Sequence, residues 1–389
     1  MQHDSTSPEK IRVLALFGGA SMLGSERGNL EALSAIKENG GKVLLVMWDA
    51  PWAEEIRRDV VARGFDIFQS PYLTLRRPDN PINPLLAYPP GIIRASLQLR
   101  KAISRFKPTH IHASNQLYVL NFLPALALSK IRIVYRCGDK PILHNIVHRM
   151  VWRFLAWKVH KFVAISRFIS RQLVLNGVNE ERISIIYNRP PARHDAGEIQ
   201  IEKKKEVVRI IFVGQVNATK GPHLLIDAFR KLSANYPLAE LLIAGRISDW
   251  AGDQWARDLR ESVKNEADIR DRIHFLGHVE NIPALLEQCD ILVAPTVTEE
   301  PLGNVVMEAK QAGVPSIVFP SGGLPEMIEH GVDGYVCEEK SVDSLLMALR
   351  FYLDDPEARN RQALAARSSL AKYKVDQFPD LWERIYTCR

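Results

Sequence analysis

The sequence predicts an α/β protein of two tandem, doubly wound Rossmann-like domains, and three observations carry that prediction. Short, near-continuous apolar runs recur along the chain, as at residues 11–17, 42–47 and 291–294. Such runs suit strands of a parallel sheet covered on both faces. Amphipathic helical patterns separate them, giving the alternation of a doubly wound fold. The alternation halts at Asn188-Arg189-Pro190-Pro191 and the polar stretch 202–206, then restarts at Ile210. A length of 389 residues fits two or three domains.

In the first half, strands are predicted at 11–17, 42–47, 110–113, 132–135, 162–165 and 183–187. Helices are predicted at 28–38, 53–63, 96–106 and 147–159. After the break come a strand at 210–213, a helix opened by Lys220 and running to Leu232, and strands at 239–244, 272–276, 291–294 and 316–319. Near the end, Phe378, Leu381, Trp382, Ile385 and Tyr386 recur at helical spacing, so a last helix packs its apolar face on the body. The predicted bounds are an N-terminal domain at 1–189, to which 373–389 returns, a linker at 190–206 and a C-terminal domain at 207–372. Two such units form a cleft, a usual place for a ligand.

The apolar fraction of 46% and charged fraction of 25% are those of ordinary soluble proteins. No run approaches the roughly 18 apolar residues of a spanning helix. The best stretch, 117–128, is short and contains Asn121 and Pro124. The N-terminus lacks the apolar core of a signal peptide. Cys137, Cys289, Cys337 and Cys388 form no C-x-x-C pair, which predicts free thiols in a reducing cytoplasm and no structural zinc.

The net charge of +6 is unevenly spread: residues 1–200 carry 28 Lys+Arg against 16 Asp+Glu, and residues 201–389 carry 23 against 29. A basic half suits an anionic membrane surface or an anionic acceptor, or it merely solubilises a surface. Nucleic acid is not expected, because the basic positions lack interleaved aromatics or a known motif. Residues 91–107 place Ile92, Ile93, Leu97, Leu99, Ile103 and Phe106 among five cations. That pattern serves peripheral membrane contact or an ordinary domain-facing helix.

The most informative stretch is 299–308, Glu-Glu-Pro-Leu-Gly-Asn-Val-Val-Met-Glu. It sets Glu300 and Glu308 around a Pro-Leu-Gly turn that leads from a buried strand into a helix. A helix N-terminus suits phosphate, and two acids beside it can orient hydroxyl groups on whatever the phosphate carries. A sugar nucleotide fits that description.

Further segments follow in a fixed order: Phe212-Val213-Gly214-Gln215, Thr219-Lys220-Gly221, Ala244-Gly245-Arg246 and Phe275-Leu276-Gly277-His278-Val279. After the Glu300–Glu308 element come Ala312-Gly313-Val314-Pro315, Gly322-Gly323-Leu324-Pro325-Glu326 and Asp333-Gly334-Tyr335. In these segments the chain resembles glycosyltransferase family 4, retaining enzymes of the GT-B architecture. The match is strongest over 208–345 and looser in the first half. The resemblance implies a hexosyltransferase that moves a hexose or N-acetylhexosamine from a UDP- or GDP-linked donor to an acceptor hydroxyl. The acceptor is a glycan, a lipid-linked sugar or a small molecule, and the setting is cytoplasmic, with membrane association on the cytoplasmic face as an option. Implied catalytic residues are Glu300 near the donor sugar, Lys220 on the donor phosphates and Asp139. Implied donor contacts are Gly19, Gly214, Gln215, Lys220, Arg246, Leu302, Gly303, Asn304, Val305 and Glu308, the last on the ribose. No D-x-D motif appears, so a metal-independent enzyme without a cofactor is expected.

Two departures stand out. The family usually has arginine where Gln215 stands, so one phosphate-neutralising cation is missing, and Arg246 is the candidate to replace it. The family often has histidine where Gly138 stands, which leaves Arg136 and Asp139 as candidates for the sugar. His110 and His112 alternate on a strand with one face buried, so His112 reads as a core histidine. Residues 19–24, Gly-Ala-Ser-Met-Leu-Gly, are not a dinucleotide fingerprint. A sugar-nucleotide epimerase, a phosphorylase and a non-catalytic nucleotide-sugar-binding subunit remain the alternative readings.

Overall fold

The computed structural model describes residues 11–19, 22, 24–71, 84–190, 206–246 and 254–387. The predicted linker falls largely outside these residues, as do Cys388 and most of the loop after Gly19. The chain divides into two compact units. The first runs to Asn188 and takes back the chain from Asp376; the second runs from Arg189 to Val375.

Unit 1 contains β1 (Arg12–Leu16), α1 (Gly24–Glu38), β2 (Lys42–Trp48), α2 (Glu54–Ala62), β3 (Asp66–Ser70), α3 (Pro84–Phe106) and β4 (His110–Ala113). It continues with α4 (Gln116–Asn121), α5 (Leu123–Leu128), β5 (Arg132–Cys137), α6 (Ile146–Lys158), β6 (Lys161–Ala164), α7 (Arg167–Leu175) and β7 (Ile183–Ile185). Its seven strands are parallel, in the order β3-β2-β1-β4-β5-β6-β7. Val13, Ala15, Leu45 and Met47 point into one core with Leu33 and Ile36 of α1.

Unit 2 contains β8 (Val208–Val213), α8 (Pro222–Ser233), β9 (Ala239–Ala244), α9 (Gln254–Lys264), β10 (Ile273–Gly277), α10 (Ile282–Leu286) and β11 (Ile291–Ala294). Then come α11 (Asn304–Ala312), β12 (Ser316–Val318), β13 (Gly334–Val336), α12 (Val342–Asp354) and α13 (Pro356–Ser369). The six strands are again parallel, in the order β10-β9-β8-β11-β12-β13. In both sheets the order reverses beside the first strand, at β1/β4 and at β8/β11. Ligands of open α/β sheets bind outside the carboxyl ends of the strands at such switch points.

The last helix, α14 (Phe378–Thr387), packs on α1 of unit 1, with Phe378, Trp382, Ile385 and Tyr386 buried. The structure therefore has the predicted two-domain α/β fold with a C-terminal helix that returns to the N-terminal unit. Several bounds differ from the sequence reading. Strands β3 and β13 went unpredicted because neither is a continuous apolar run; β3 is a half-exposed edge strand and β13 has three residues. Helix α3 begins twelve residues before its predicted start and runs through Pro89-Pro90-Gly91, residues that ordinarily interrupt a helix. Lys220 does not open a helix. It ends a 3-10 turn capped by the Asn217 side chain, Gly221 follows at φ 73°, and α8 starts at Pro222. Proline at the first helical position and a left-handed glycine before it fix that start.

His112 is a core histidine. Its Nδ1 lies 2.7 Å from the Tyr386 hydroxyl. Burial, with the Arg136 charge adding to it, pushes its pKa down to about 3. The unfolded chain has an ordinary histidine near 6.5. Below that pH the unfolded state binds a proton that the folded state refuses, so His112 makes stability fall as pH drops from 6.5 toward 4. One such proton steepens the slope by about 1.4 kcal/mol per pH unit. His112→Gln is expected to flatten the fall of unfolding free energy over that window by this amount, as read by denaturant titrations.

Candidate functional site

The loops after β8 and β11 flank the switch point of unit 2, and each supplies one charged side chain. Asn217 shapes the first loop. Its Oδ1 accepts from Lys220 N at 3.1 Å and from the Thr219 hydroxyl at 2.7 Å. Thr219 O accepts from Val297 N at 2.9 Å, which ties this loop to the chain leaving β11. A side chain at Gly221 would overlap the Pro295 carbonyl, so glycine is required for that approach. The second loop is held by Gly322 and Gly323: Gly323 N donates to Glu300 O at 2.7 Å, and a side chain on Gly322 would overlap the Glu300 backbone. The result is an ion pair between Lys220 Nζ and a Glu300 carboxylate oxygen, across 80 residues of sequence.

The chain then turns through buried Leu302 into α11. Gly303 sits at φ 91° against Leu324 and, as the N-cap residue, has no side chain with which to cap the helix. The backbone N–H groups of Asn304 and Val305 thus form the first turn of a helix whose positive dipole end lies in the loop of Glu300. Glu308 lies one turn further along the same helix and is half-buried. The far half of α11 is fixed by Lys310, which is fully buried. Lys310 Nζ lies 2.6 Å from Asp333 Oδ2 and donates to Ser369 Oγ at 2.8 Å. Burial lowers the pKa of this lysine, opposed by Asp333.

The remaining unit 2 candidates sit one strand over. Gly214 and Gly245 meet backbone to backbone, and a side chain on Gly245 would overlap Gly214 O. Gln215 is exposed. Val216 N donates to Arg246 O at 3.3 Å, so Arg246 follows the strand end beside the Gln215 loop. Exposed Arg246 lines an open cavity of about 580 Å³ with Gly245, Arg257, Glu261, Phe275 and His278.

Gly19 and Asp139 belong to unit 1. Gly19 follows β1 and packs against the Glu26 side chain, while the Tyr118 hydroxyl donates to Gly18 O. Asn29 Nδ2 donates to Ser114 Oγ at 2.8 Å, joining the two sides of this switch point. Asp139 is exposed after β5 and lines a cavity of about 100 Å³ with Ser114, Gln116, Cys137, Gly138 and Trp152. Arg136 is not available there. It is buried, donates to Asn188 Oδ1 at 2.7 Å and Asn29 Oδ1 at 3.3 Å, and closes on Gly28. Burial lowers its pKa to about 10. Among the described residues no group of three or more His, Cys, Asp or Glu is placed to hold a metal ion.

The sequence reading missed Asn217, Lys310 and Gln116 as positioning residues. Asn217 carried a signal: Asn-x-Thr-Lys ahead of Gly-Pro is a capped turn before a helix. Buried Gln116 donates to Ile142 O at 2.9 Å and His148 O at 2.6 Å, pinning the loop of Asp139. No local pattern announces that.

Two family models match the chain: Glycosyltransferase Family 4 over residues 23–188 and Glycosyl transferases group 1 over residues 196–369. Glycogen synthase from Mycobacterium tuberculosis is 36% identical over 165 residues, 41% of this chain and 37% of that protein. N-acetyl-alpha-D-glucosaminyl L-malate synthase from Bacillus anthracis is 27% identical over 259 residues, 64% of each. The chain spans about two fifths of the length of the first curated relatives it matches. Among solved structures, Anabaena HepE in complex with UDP superposes with a TM-score of 0.78 at 18% identity, covering 97% of this chain and 99% of that one. The complex of HepE with UDP-glucose gives 0.75 at 18%, over 96% and 98%. The two family models, which together span most of the chain, place it in glycosyltransferase family 4, and the structural likeness shows the GT-B fold.

Proposed function

We propose that the protein transfers a hexose or N-acetylhexosamine from a nucleoside-diphosphate sugar to an acceptor hydroxyl, with retention at the anomeric carbon. The carrying observation is the Lys220–Glu300 pair at the switch point of unit 2, beside the N-terminus of α11. A diphosphate needs cations and N–H donors, and this place offers both. In this reading Lys220 neutralises the charge that gathers on the leaving diphosphate. Glu300 orients Lys220 and the donor sugar, and Glu308 receives the ribose hydroxyls. The binding of UDP and UDP-glucose by a structural neighbour supports a uridine-linked donor.

The reaction follows a front-face course. The bond from anomeric carbon to phosphate oxygen breaks and the acceptor oxygen bonds to the same face. The acceptor proton passes to the departing phosphate oxygen. The protein supplies positioning and electrostatics, with no resident metal. The acceptor is a glycan, a lipid-linked sugar or a small molecule, and Asp139 of unit 1 keeps its part as a candidate catalytic residue for the sugar. Proton NMR of the first-formed product tests the stereochemistry: an axial linkage from an α-linked donor supports retention, and the equatorial anomer overturns it.

Arg246 takes the part of the cation absent at Gln215. Arg246→Ala is expected to weaken donor binding by roughly tenfold, the loss of one charge-assisted hydrogen bond. Unaltered affinity and turnover in that variant would remove Arg246 from the site.

A further inference from the structure

From residue 80 to residue 179 the chain carries fifteen Lys and Arg and a single acid, Asp139. The fold gathers most of that charge on one side. Parallel crossovers are right-handed. In this strand order α3, α4, α5, α6 and α7 therefore lie on one face of the unit 1 sheet, and α1 and α2 on the other. Packing agrees: α3 touches α4 and α5, α4 touches α6, and α14 joins α1. None of the five helices α3 to α7 contains an acid. The opposite face, on α1, α2 and α14, carries eight acids against five cations, Arg27, Lys37, Arg57, Arg58 and Arg384. The α3–α7 face of unit 1 is therefore the cationic one.

The cationic face is also apolar where it meets water. Helix α6 buries Val151, Trp152 and Leu155 in the core. A second stripe, spaced four, three and four residues apart, points outward: Ile146 at 63% exposure, Met150 at 64%, Arg153, and Trp157 at 71%. Arg149 flanks it, and the Lys158 ammonium lies 5.7 Å from the Trp157 ring. Helix α3 repeats the pattern. Ala95, Leu99 and Ala102 face inward, while Ile93 and Leu97 are exposed beside Arg94, Arg100 and Lys101. The ordinary domain-facing reading accounts for the inner stripe of α3 and leaves the outer one unexplained. Exposed apolar residues interleaved with cations, tryptophan among them, suit a headgroup layer over hydrocarbon.

We infer that the α3–α6 face of unit 1 docks on a bilayer with anionic headgroups, Trp157, Met150 and Ile146 entering the interface and Arg149 and Arg153 meeting lipid phosphates. A second copy is a poor occupant, since two such cationic faces repel. Nucleic acid accounts for the charge and leaves the exposed aliphatic stripe without a role. This docking goes beyond the transferase reading and is measured without a donor or an acceptor.

The test is co-sedimentation of the full chain with vesicles of equal parts phosphatidylglycerol and phosphatidylcholine, against phosphatidylcholine alone, at low and high salt. Binding is expected only to the anionic vesicles and is expected to weaken with salt. Each cation contributes roughly fivefold near such a surface. Arg149→Glu with Arg153→Glu is therefore expected to lower partition by at least about 30-fold. Met150→Ser with Trp157→Ser keeps the charge and is expected to lower partition by about tenfold or more. Both pairs lie on the surface, and unchanged melting curves establish that they fold. Equal partition to neutral and anionic vesicles overturns the inference, as does wild-type partition by either variant. Retention on single-stranded RNA with none on vesicles, or a dimer that Trp157→Ser dissociates, overturns it in favour of another occupant.

Discussion

Replacing Glu300 by alanine is expected to lower kcat by 100- to 1000-fold, the scale of losing one preorganised electrostatic group at a reacting centre. The same loss is expected for Lys220→Ala, because the two side chains are one unit. Lys220 is aimed by the Asn217-capped turn and by Glu300, while Glu300 is held by Gly322 and Gly323. Removing either partner leaves the other without its orienting contact. The double variant is therefore expected to lose little more than either single one, the non-additivity of residues that act together. Steady-state kinetics of the four forms measures this. Independent losses that multiply in the double variant would separate the two roles and undo the paired account. Fold should be unaffected, since both side chains are partly exposed and neither belongs to a core cluster.

The largest effect on stability is expected at Lys310. Substitution by methionine keeps the volume and leaves Asp333 buried without its cation, a loss of about 3–5 kcal/mol. For a unit of this size that lowers Tm by roughly 10 °C. Adding Asp333→Asn removes the orphaned charge and keeps an acceptor for the Glu329 N–H, which now donates to Asp333 Oδ1 at 2.8 Å. The double variant is expected to regain more than half of the loss, as read by denaturant unfolding. Lys310 also anchors the helix that carries Asn304, Val305 and Glu308. The single variant is thus expected to raise KM for the donor more than it lowers kcat. A Tm within a degree or two of wild type would show that the pair stabilises nothing.

What the sequence disclosed depended on how local the signal was. The apolar runs of β1, β8 and β11 were plain because a strand covered on both faces is apolar at nearly every position. The decapeptide from Glu299 was legible because turn, helix start and both acids lie within ten residues. Lys220 was misplaced by one element: its helical periodicity is real, but Gly221 at φ 73° and Pro222 restart the chain there. Arg136 looked like a candidate for the sugar because nothing in the local sequence shows Asn29 and Asn188 closing over it. The Lys310–Asp333 pair, 23 residues apart, was invisible for the same reason. The outer stripe of α6 was hidden by its inner one, since a helix that is apolar on two faces reads as one hydrophobic segment. Asp139 and Gly19 sit at strand ends of unit 1, where the sequence put them, and their roles rest on the proposed reaction.

The proposed reaction requires that the Lys220–Glu300 place in unit 2 hold a sugar-linked nucleoside diphosphate. Isothermal titration of the wild-type chain with UDP- and GDP-linked sugars tests it most directly, with Lys220→Ala and Glu308→Ala alongside. Saturable binding of one donor by the wild type is expected. Binding at least tenfold weaker is expected in each variant, with melting curves unchanged in the absence of ligand. A donor that binds equally well to all three proteins, or no binding by any nucleoside-diphosphate sugar, would contradict it.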